Sequence, residues 1–199
     1  MWEKAIHEEL ATLKAAGTWD LVEKTEGVNV VGSKWVFRAK KDAAGKIVCY
    51  KARLVVQGFS QVPGVDYFDM FAPVAQLASI RTILVFAGSQ DLETSQIDIK
   101  GAYLNGELAS DEVIYMRQPP GYANGSFICK LHKTLYGLKQ SGRHWYQKLV
   151  EIMTKLRFER SEVDQAVFYR RNIEKGILII VPVHVDDCSI IASSQPLID

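Results

Sequence analysis

Apolar residues fall at Trp2, Ile6, Leu10 and Leu13 with acids on the other face, which predicts an amphipathic helix over residues 1–16, closed by Gly17. Residues 18–22 then read as a short strand. Two alternating runs, 34–40 and 47–57, flank Asp42-Ala43-Ala44-Gly45 and predict a β-hairpin. Gly58, Pro63 and Gly64 punctuate a loop that leads to Phe71-Ala72-Pro73. Helical spacing returns over 77–89, with Ile80, Leu84, Val85 and Phe86 as the expected apolar side. A strand over 93–99 carries Asp98, and a turn-rich segment over 101–126 contains Tyr115 and Pro119-Pro120-Gly121. Residues 141–156 predict another helix, with Trp145, Leu149, Ile152 and Met153 facing inward. Strands over 166–170 and 176–185 follow, and 188–192 runs back out. No repeat, low-complexity tract or linker interrupts this order, which predicts an α+β fold with a sheet backed by two helices.

Composition changes this picture little. With 199 residues, 48% hydrophobic and 24% charged, the chain can bury a full core. The net charge of +1 hides a local asymmetry: residues 34–53 hold seven cations (Lys34, Arg38, Lys40, Lys41, Lys46, Lys51, Arg53) against the single acid Asp42. Such an excess can bind phosphates, although a solvated hairpin would look the same. Cys49, Cys129 and Cys188 are odd in number and widely spaced, which argues against a disulfide framework or a zinc site and fits a reducing compartment. His7, His132, His144 and His184 show no ligand spacing. The start lacks the pattern of a signal peptide, and the apolar run 177–185 is far short of the ~20 residues that span a bilayer. A soluble intracellular protein is expected.

The chemistry concentrates in Val183-His184-Val185-Asp186-Asp187-Cys188-Ser189-Ile190-Ile191, where two carboxylates interrupt an apolar, β-branched run. Charge in such a run needs compensation, and a divalent cation supplies it. Asp98, in Gln96-Ile97-Asp98-Ile99-Lys100, has the same kind of setting. Neighbouring strand residues face opposite ways, so Asp186 and Asp187 can serve one site only at a tight turn. Three acids meeting there would suit two Mg²⁺ ions about 3.5–4 Å apart, an arrangement for in-line phosphoryl and nucleotidyl transfer; a structural turn is the alternative. Tyr103, five residues beyond Asp98, is placed to floor a sugar or simply to fill a core. In Leu135-Tyr136-Gly137-Leu138-Lys139-Gln140 the glycine permits close backbone approach and the tyrosine can pack on a base or sugar.

Trp19-Asp20-Leu21-Val22, Lys34-Trp35-Val36-Phe37, Tyr50-Lys51-Ala52-Arg53-Leu54-Val55, Phe71-Ala72-Pro73-Val74, Gln96-Ile97-Asp98-Ile99-Lys100, Ala102-Tyr103-Leu104-Asn105-Gly106, Leu135-Tyr136-Gly137-Leu138-Lys139-Gln140 and Val185-Asp186-Asp187 occur in that order. Together they resemble the reverse transcriptase domain of Ty1/copia-type LTR retrotransposons, from about Trp2 to the C-terminus. The resemblance implies the fingers and palm of a right-hand polymerase, the palm an antiparallel ferredoxin-like sheet backed by helices. Residues 1–75 would be mostly fingers and 76–199 mostly palm. It implies Asp98 and Asp186 as principal ligands of two Mg²⁺ (Mn²⁺ as a substitute), with Asp187 supporting and the Ile99 carbonyl an extra ligand. Tyr103 matches the aromatic gate against a 2′-hydroxyl, Tyr136 and Gly137 would line the nucleotide site, and Lys51 and Arg53 would contact triphosphate or template. RNA template, DNA primer and dNTP are the implied partners. The implied location is cytoplasmic, in a virus-like particle, or nuclear, with no membrane association.

Several positions depart from the family's pattern. His184 replaces a common Tyr, Gly142 a common Pro, Gly101 a larger residue, and Pro182 enters the strand leading to the acids, where it costs a ladder hydrogen bond unless that strand is an edge or bulged. The thumb and RNase H segments of the parent polyprotein are not expected within these residues. A non-catalytic remnant, or a nucleic-acid-binding module using only the basic hairpin, therefore stands beside the polymerase reading. A nucleotidyl cyclase shares the two-metal carboxylates but commonly has glycines where His184-Val185 stands.

Overall fold

The structure is a computed structural model and describes residues 1–198; Asp199 lies outside the described residues. In chain order the elements are α1 (Trp2–Ala15), β1 (Trp19–Val22), β2 (Val30–Val31), β3 (Ser33–Lys41), β4 (Ile47–Val56), α2 (Leu77–Ser89), β5 (Glu93–Asp98), β6 (Tyr115–Met116), β7 (Ile128–Leu131), α3 (Ser141–Lys155), β8 (Glu159–Arg160), β9 (Val167–Asn172), β10 (Ile177–His184) and β11 (Asp187–Ala192). Two compact units interleave along the chain: Met1–Met70 with Tyr103–Trp145, and Phe71–Ala102 with Tyr146–Asp199. The class is α+β, and no described helix is long and apolar enough to cross a membrane.

The first unit contains a four-stranded sheet of order β1-β7-β6-β2, in which β2 and β6 run parallel. Its core gathers Leu13 of α1, Val31, Leu54, Val56, Ile114, Met116, Cys129, Leu131, Leu135 and Leu138. Hydrophobic periodicity did not reveal β7: the run is short and follows a turn-rich stretch, so only its pairing with β1 and β6 makes it a strand. Strands β3 and β4 form a separate hairpin from Ser33↔Val56 to Lys41↔Ile47. Ala52, Leu54 and Val56 are buried at alternate positions of β4, so the base of the hairpin is anchored by period-two burial. Its far end, including Lys40, Lys41, Lys46 and Cys49, is exposed.

The second unit is built on an antiparallel sheet of order β5-β11-β10-β9-β8. Ala75, Ala166 and Val167 are buried with Ile80, Ile83 and Ile180 packed against them. This corrects the expected face of α2. Ile80, Ile83 and Ala87 turn inward, whereas Leu84, Val85 and Phe86 are exposed. Its polar residues, Ser79, Arg81, Thr82 and Ser89, are too few and scattered to fix its rotation, so the sheet decides it. In α3, Trp145, Leu149 and Met153 are buried as expected, but Ile152 is exposed. Pro182 lies in β10, an interior strand with β9 and β11 as neighbours. Pairing with β9 passes through Pro182↔Val167, while the register with β11 goes from Ile180↔Ile191 directly to Val183↔Cys188. The missing N–H is thus accommodated by a lapse on the β11 side, without an edge position or a bulge.

Candidate active site

Val185 and Asp186 form the two-residue turn between β10 and β11, closed by the pair His184↔Asp187. Val185 takes φ 61°, a left-handed conformation that costs a β-branched residue on the order of 1–2 kcal/mol. A positive φ at the first central position is the requirement of a type II′ turn, which glycine usually meets. The turn puts Asp186 at its tip and starts β11 with Asp187.

Strand β5 pairs with β11 in the register Asp98↔Asp187. The Ile99 N–H donates to the Asp186 carbonyl at 2.8 Å, so Asp98 and Asp187 form a non-hydrogen-bonded pair, the closer of the two antiparallel pairings. Their side chains share a face with Cβ atoms about 5 Å apart, where like charges oppose each other. Among the described residues no cationic side chain is paired with Asp98, Asp186 or Asp187. Behind them Cys188 is buried, and its thiol is pushed up to about 11 by burial and by the negative charges of Asp187 and Asp186.

Carboxylate oxygens are the donors that hard divalent cations prefer, and two opposed carboxylates with a third beside them fit such an ion in kind. Among the described residues, no three His, Cys, Asp or Glu side chains are drawn together closely enough to enclose one. The arrangement is therefore an open pair at the end of a sheet, with Asp186 next to it in the turn.

The remaining candidates lie in the first unit. Lys51, Arg53 and Val55 share one face of β4, opposite buried Ala52, Leu54 and Val56. The Arg53 guanidinium sits over the Tyr136 ring with Cζ 4.8 Å from its centroid. Tyr136 in turn meets Tyr103 edge-to-face, with centroids 4.9 Å apart and planes at 77°. Gly137 has φ 95°, and a Cβ there would stand 2.1 Å from the Val56 carbonyl oxygen, so the close approach expected of this glycine is to the protein's own β4. Gly101 has φ 63°, a left-handed conformation that glycine adopts without strain.

Three features here had no signal in periodicity or motif. Buried Gln61, Asp66 and Gln140 form one network: Asn29 Nδ2 and the Val62 N–H both donate to Asp66 Oδ2 at 2.6 Å, Gln140 Nε2 donates to the Asp66 carbonyl, and Gln61 joins Gln140 at 3.1 Å. The Lys139 N–H donates to Gln61 Oε1 at 2.8 Å, which fixes the backbone after Tyr136-Gly137. His144, also in this unit, is buried with Nε2 2.5 Å from Glu112 Oε2. In the second unit, Asp164 accepts the Gln76 N–H at 2.8 Å at the start of α2. Burial alone would raise its pKa, but bonds from Ser79, Gln76 and Ala166 hold it below the usual carboxylate range.

The second unit is thus an α+β arrangement whose antiparallel sheet ends in a strained acidic turn with a third carboxylate opposite it. The chain belongs to the reverse transcriptase (RNA-dependent DNA polymerase) family, whose model matches residues 16–199. It is 43% identical over 198 residues to the retrovirus-related Pol polyprotein from transposon TNT 1-94 of Nicotiana tabacum, covering 98% of this chain and 15% of that protein. It is 37% identical over 202 residues to the corresponding polyprotein from transposon RE1 of Arabidopsis thaliana, covering 99% of this chain and 13% of that one. The chain thus spans less than a sixth of these curated relatives. A solved foamy viral protease-reverse transcriptase in complex with double-stranded DNA aligns over 94% of this chain and 25% of its own, at 13% identity and a TM-score of 0.44.

Proposed function

We propose that this chain is the fingers-and-palm part of an RNA-directed DNA polymerase of a copia-type retrotransposon. Residues 1–75 would be mostly fingers and 76–199 mostly a ferredoxin-like palm. The carrying observation is the register that sets Asp98 against Asp187 beside the strained Val185-Asp186 turn. Opposed carboxylates weaken a sheet unless a cation compensates them, and strained β-branched turns cluster at functional sites. Asp98 and Asp186, supported by Asp187 and the Ile99 carbonyl, would hold two Mg²⁺. Bound there, the ions would lower the pKa of the attacking hydroxyl and neutralise charge on the phosphates.

The chain's own residues supply position and charge. Lys51 and Arg53, which share one face of β4, would meet the triphosphate or the template, and Tyr103, Tyr136 and Gly137 would line the nucleotide site. The reaction is attack of a primer 3′-hydroxyl on the α-phosphate of a dNTP, with pyrophosphate as leaving group, driven by orientation and electrostatic stabilisation. The partners are an RNA template and a DNA primer, with the thumb and RNase H segments of the parent polyprotein completing the enzyme. The exposed cations of β3 and β4 also favour a second reading, a nucleic-acid-binding module without catalysis.

The test is primer extension on an RNA template with Mg²⁺ and dNTPs, comparing the chain with Asp186→Asn. The expected result is extension that falls at least about 100-fold in the variant. Template binding that is salt-sensitive and unaffected by the substitution, from a folded chain that extends no primer, would favour the binding module.

A further inference from the structure

Helix α2 leaves part of its sheet uncovered. The register Leu178↔Arg171, Ile180↔Tyr169 and Pro182↔Val167 puts these residues of β9 and β10 on one face. Ile80 and Ile83 of α2 pack with Ile180 against Ala75, Ala166 and Val167. Ala78, Ser79 and Thr82 are too short to close the remaining space, and an open cleft of about 580 Å³ is left between α2, the segment 161–164 and the two strands. Its lining lies wholly in the second unit, and its floor is Val167, Leu178 and Ile180. The volume falls within the ~300–1,000 Å³ typical of sites for small organic molecules.

Most polar groups lining the cleft are already bonded. Asp164 accepts from Ser79 and from the Gln76 and Ala166 N–H groups. The Thr82 hydroxyl donates to the Ala78 carbonyl, and the Tyr169 hydroxyl to Glu159 Oε2, both at 2.9 Å. Ser161 Oγ accepts the Val163 N–H at 3.3 Å and the Asp164 N–H at 3.4 Å. Arg171 differs. It stands directly across from Leu178 with its Cζ 6.0 Å from the Tyr169 ring centroid, and no carboxylate among the described residues is ion-paired with it.

We propose that this cleft binds a small aromatic acid, its ring system against Val167, Leu178 and Ile180 and its acidic group at Arg171. The site is independent of the polymerase reading. A slot between a helix and a sheet face suits a flat body, and Tyr169 supplies an aromatic neighbour. A guanidinium without an ion-pair partner favours a carboxylate or sulfonate over a neutral group. Buried Asp164, whose carbonyl accepts the Val167 N–H at 2.9 Å, lies at the opposite end of β9 from Arg171. Its charge repels an anion from that end and so fixes the orientation.

Fluorescence titrations measure dissociation constants of anilinonaphthalene sulfonate and its uncharged counterpart, phenylnaphthylamine, for the 199-residue chain. The wild type is compared with Arg171→Gln and Leu178→Glu, and near-ultraviolet circular dichroism confirms that each is folded. Methyl chemical shifts of Val167, Leu178 and Ile180 locate the bound dye. The expected result is saturable one-to-one binding of the anion that moves those methyls, weakens about 3- to 10-fold in Arg171→Gln and is lost in Leu178→Glu. The uncharged dye should bind more weakly than the anion and be insensitive to Arg171→Gln. If the folded wild type does not bind the anion, or binds it without moving these methyls, the site is overturned. If the methyls move but Arg171→Gln leaves the anion's affinity unchanged, selection of an acid at Arg171 is overturned. Tighter binding of decanoate than of the aryl sulfonate would overturn the aromatic class.

Discussion

The hairpins β3–β4 and β10–β11 share a topology and use charge in opposite ways. Along the first, Lys34, Arg38, Lys40, Lys41, Lys46 and Lys51 are exposed. Its turn is made by a residue suited to it: Asp42 Oδ1 accepts the N–H groups of Ala44 at 3.0 Å and Lys46 at 2.9 Å. Charge there is hydrated, free to act at a distance and open to screening by salt. Along the second, Ile179, Val181, Val183, Cys188 and Ile191 are buried, and the turn forces Val185 to φ 61°. The carboxylates at its end oppose Asp98 without a cationic partner among the described residues. In the first hairpin local preference and fold agree; in the second they conflict, and the conflict falls at the proposed site.

The largest expected effect breaks the base of the first hairpin. Gly137→Ala would place a Cβ 2.1 Å from the Val56 carbonyl at φ 95°. It should cost at least about 3 kcal/mol, a drop of about 6–12 °C in melting temperature. A wild-type melting curve would show that the approach of Gly137 to Val56 is absent in solution.

A smaller and opposite effect is expected at the second hairpin. Val185→Gly relieves the left-handed strain and, after the added chain entropy of glycine, should stabilise the protein by about 0.5–1 kcal/mol. Primer extension should fall in the same variant, because the carboxylates lose a rigid turn. A variant that gains stability and keeps its full extension rate would separate the strain from the chemistry.

The smallest effect tests a half-buried acid against the first hairpin's own charge. Glu9 Oε1 accepts the Leu54 N–H at 3.3 Å. Burial raises its pKa, and the Leu54 bond and the charges of Lys51 and Arg53 offset only part of that. The native state therefore holds this proton more tightly than the unfolded state, so stability falls as pH rises from the ordinary value of 4.5 through the native one. Glu9→Gln removes that slope. It should be more stable near neutral pH by on the order of 0.5 kcal/mol, with the gain shrinking below pH 4.5. Denaturant titrations at pH 4 and pH 7 would check it; a gain that is equal at both would exclude titration of Glu9 as the cause.

What the sequence determined by itself was local. The helix over α1, the turn at Asp42, and the tight turn that brings Asp186 and Asp187 to the end of an apolar hairpin all follow from spacing and from the cost of charge in an apolar strand. The ordered motifs identified the family as well, since they are strings of neighbouring residues. Register and rotation belonged to the tertiary structure. Only pairing with β11 sets Asp98 opposite Asp187, only the sheet turns Ile80, Ile83 and Ala87 of α2 inward, and only the fold stacks Arg53, Tyr136 and Tyr103. The interleaving of the two units and the buried links among Gln61, Asp66 and Gln140 are of the same kind. Periodicity reports which face of an element is apolar; which distant residue that face meets depends on contacts that no local window contains.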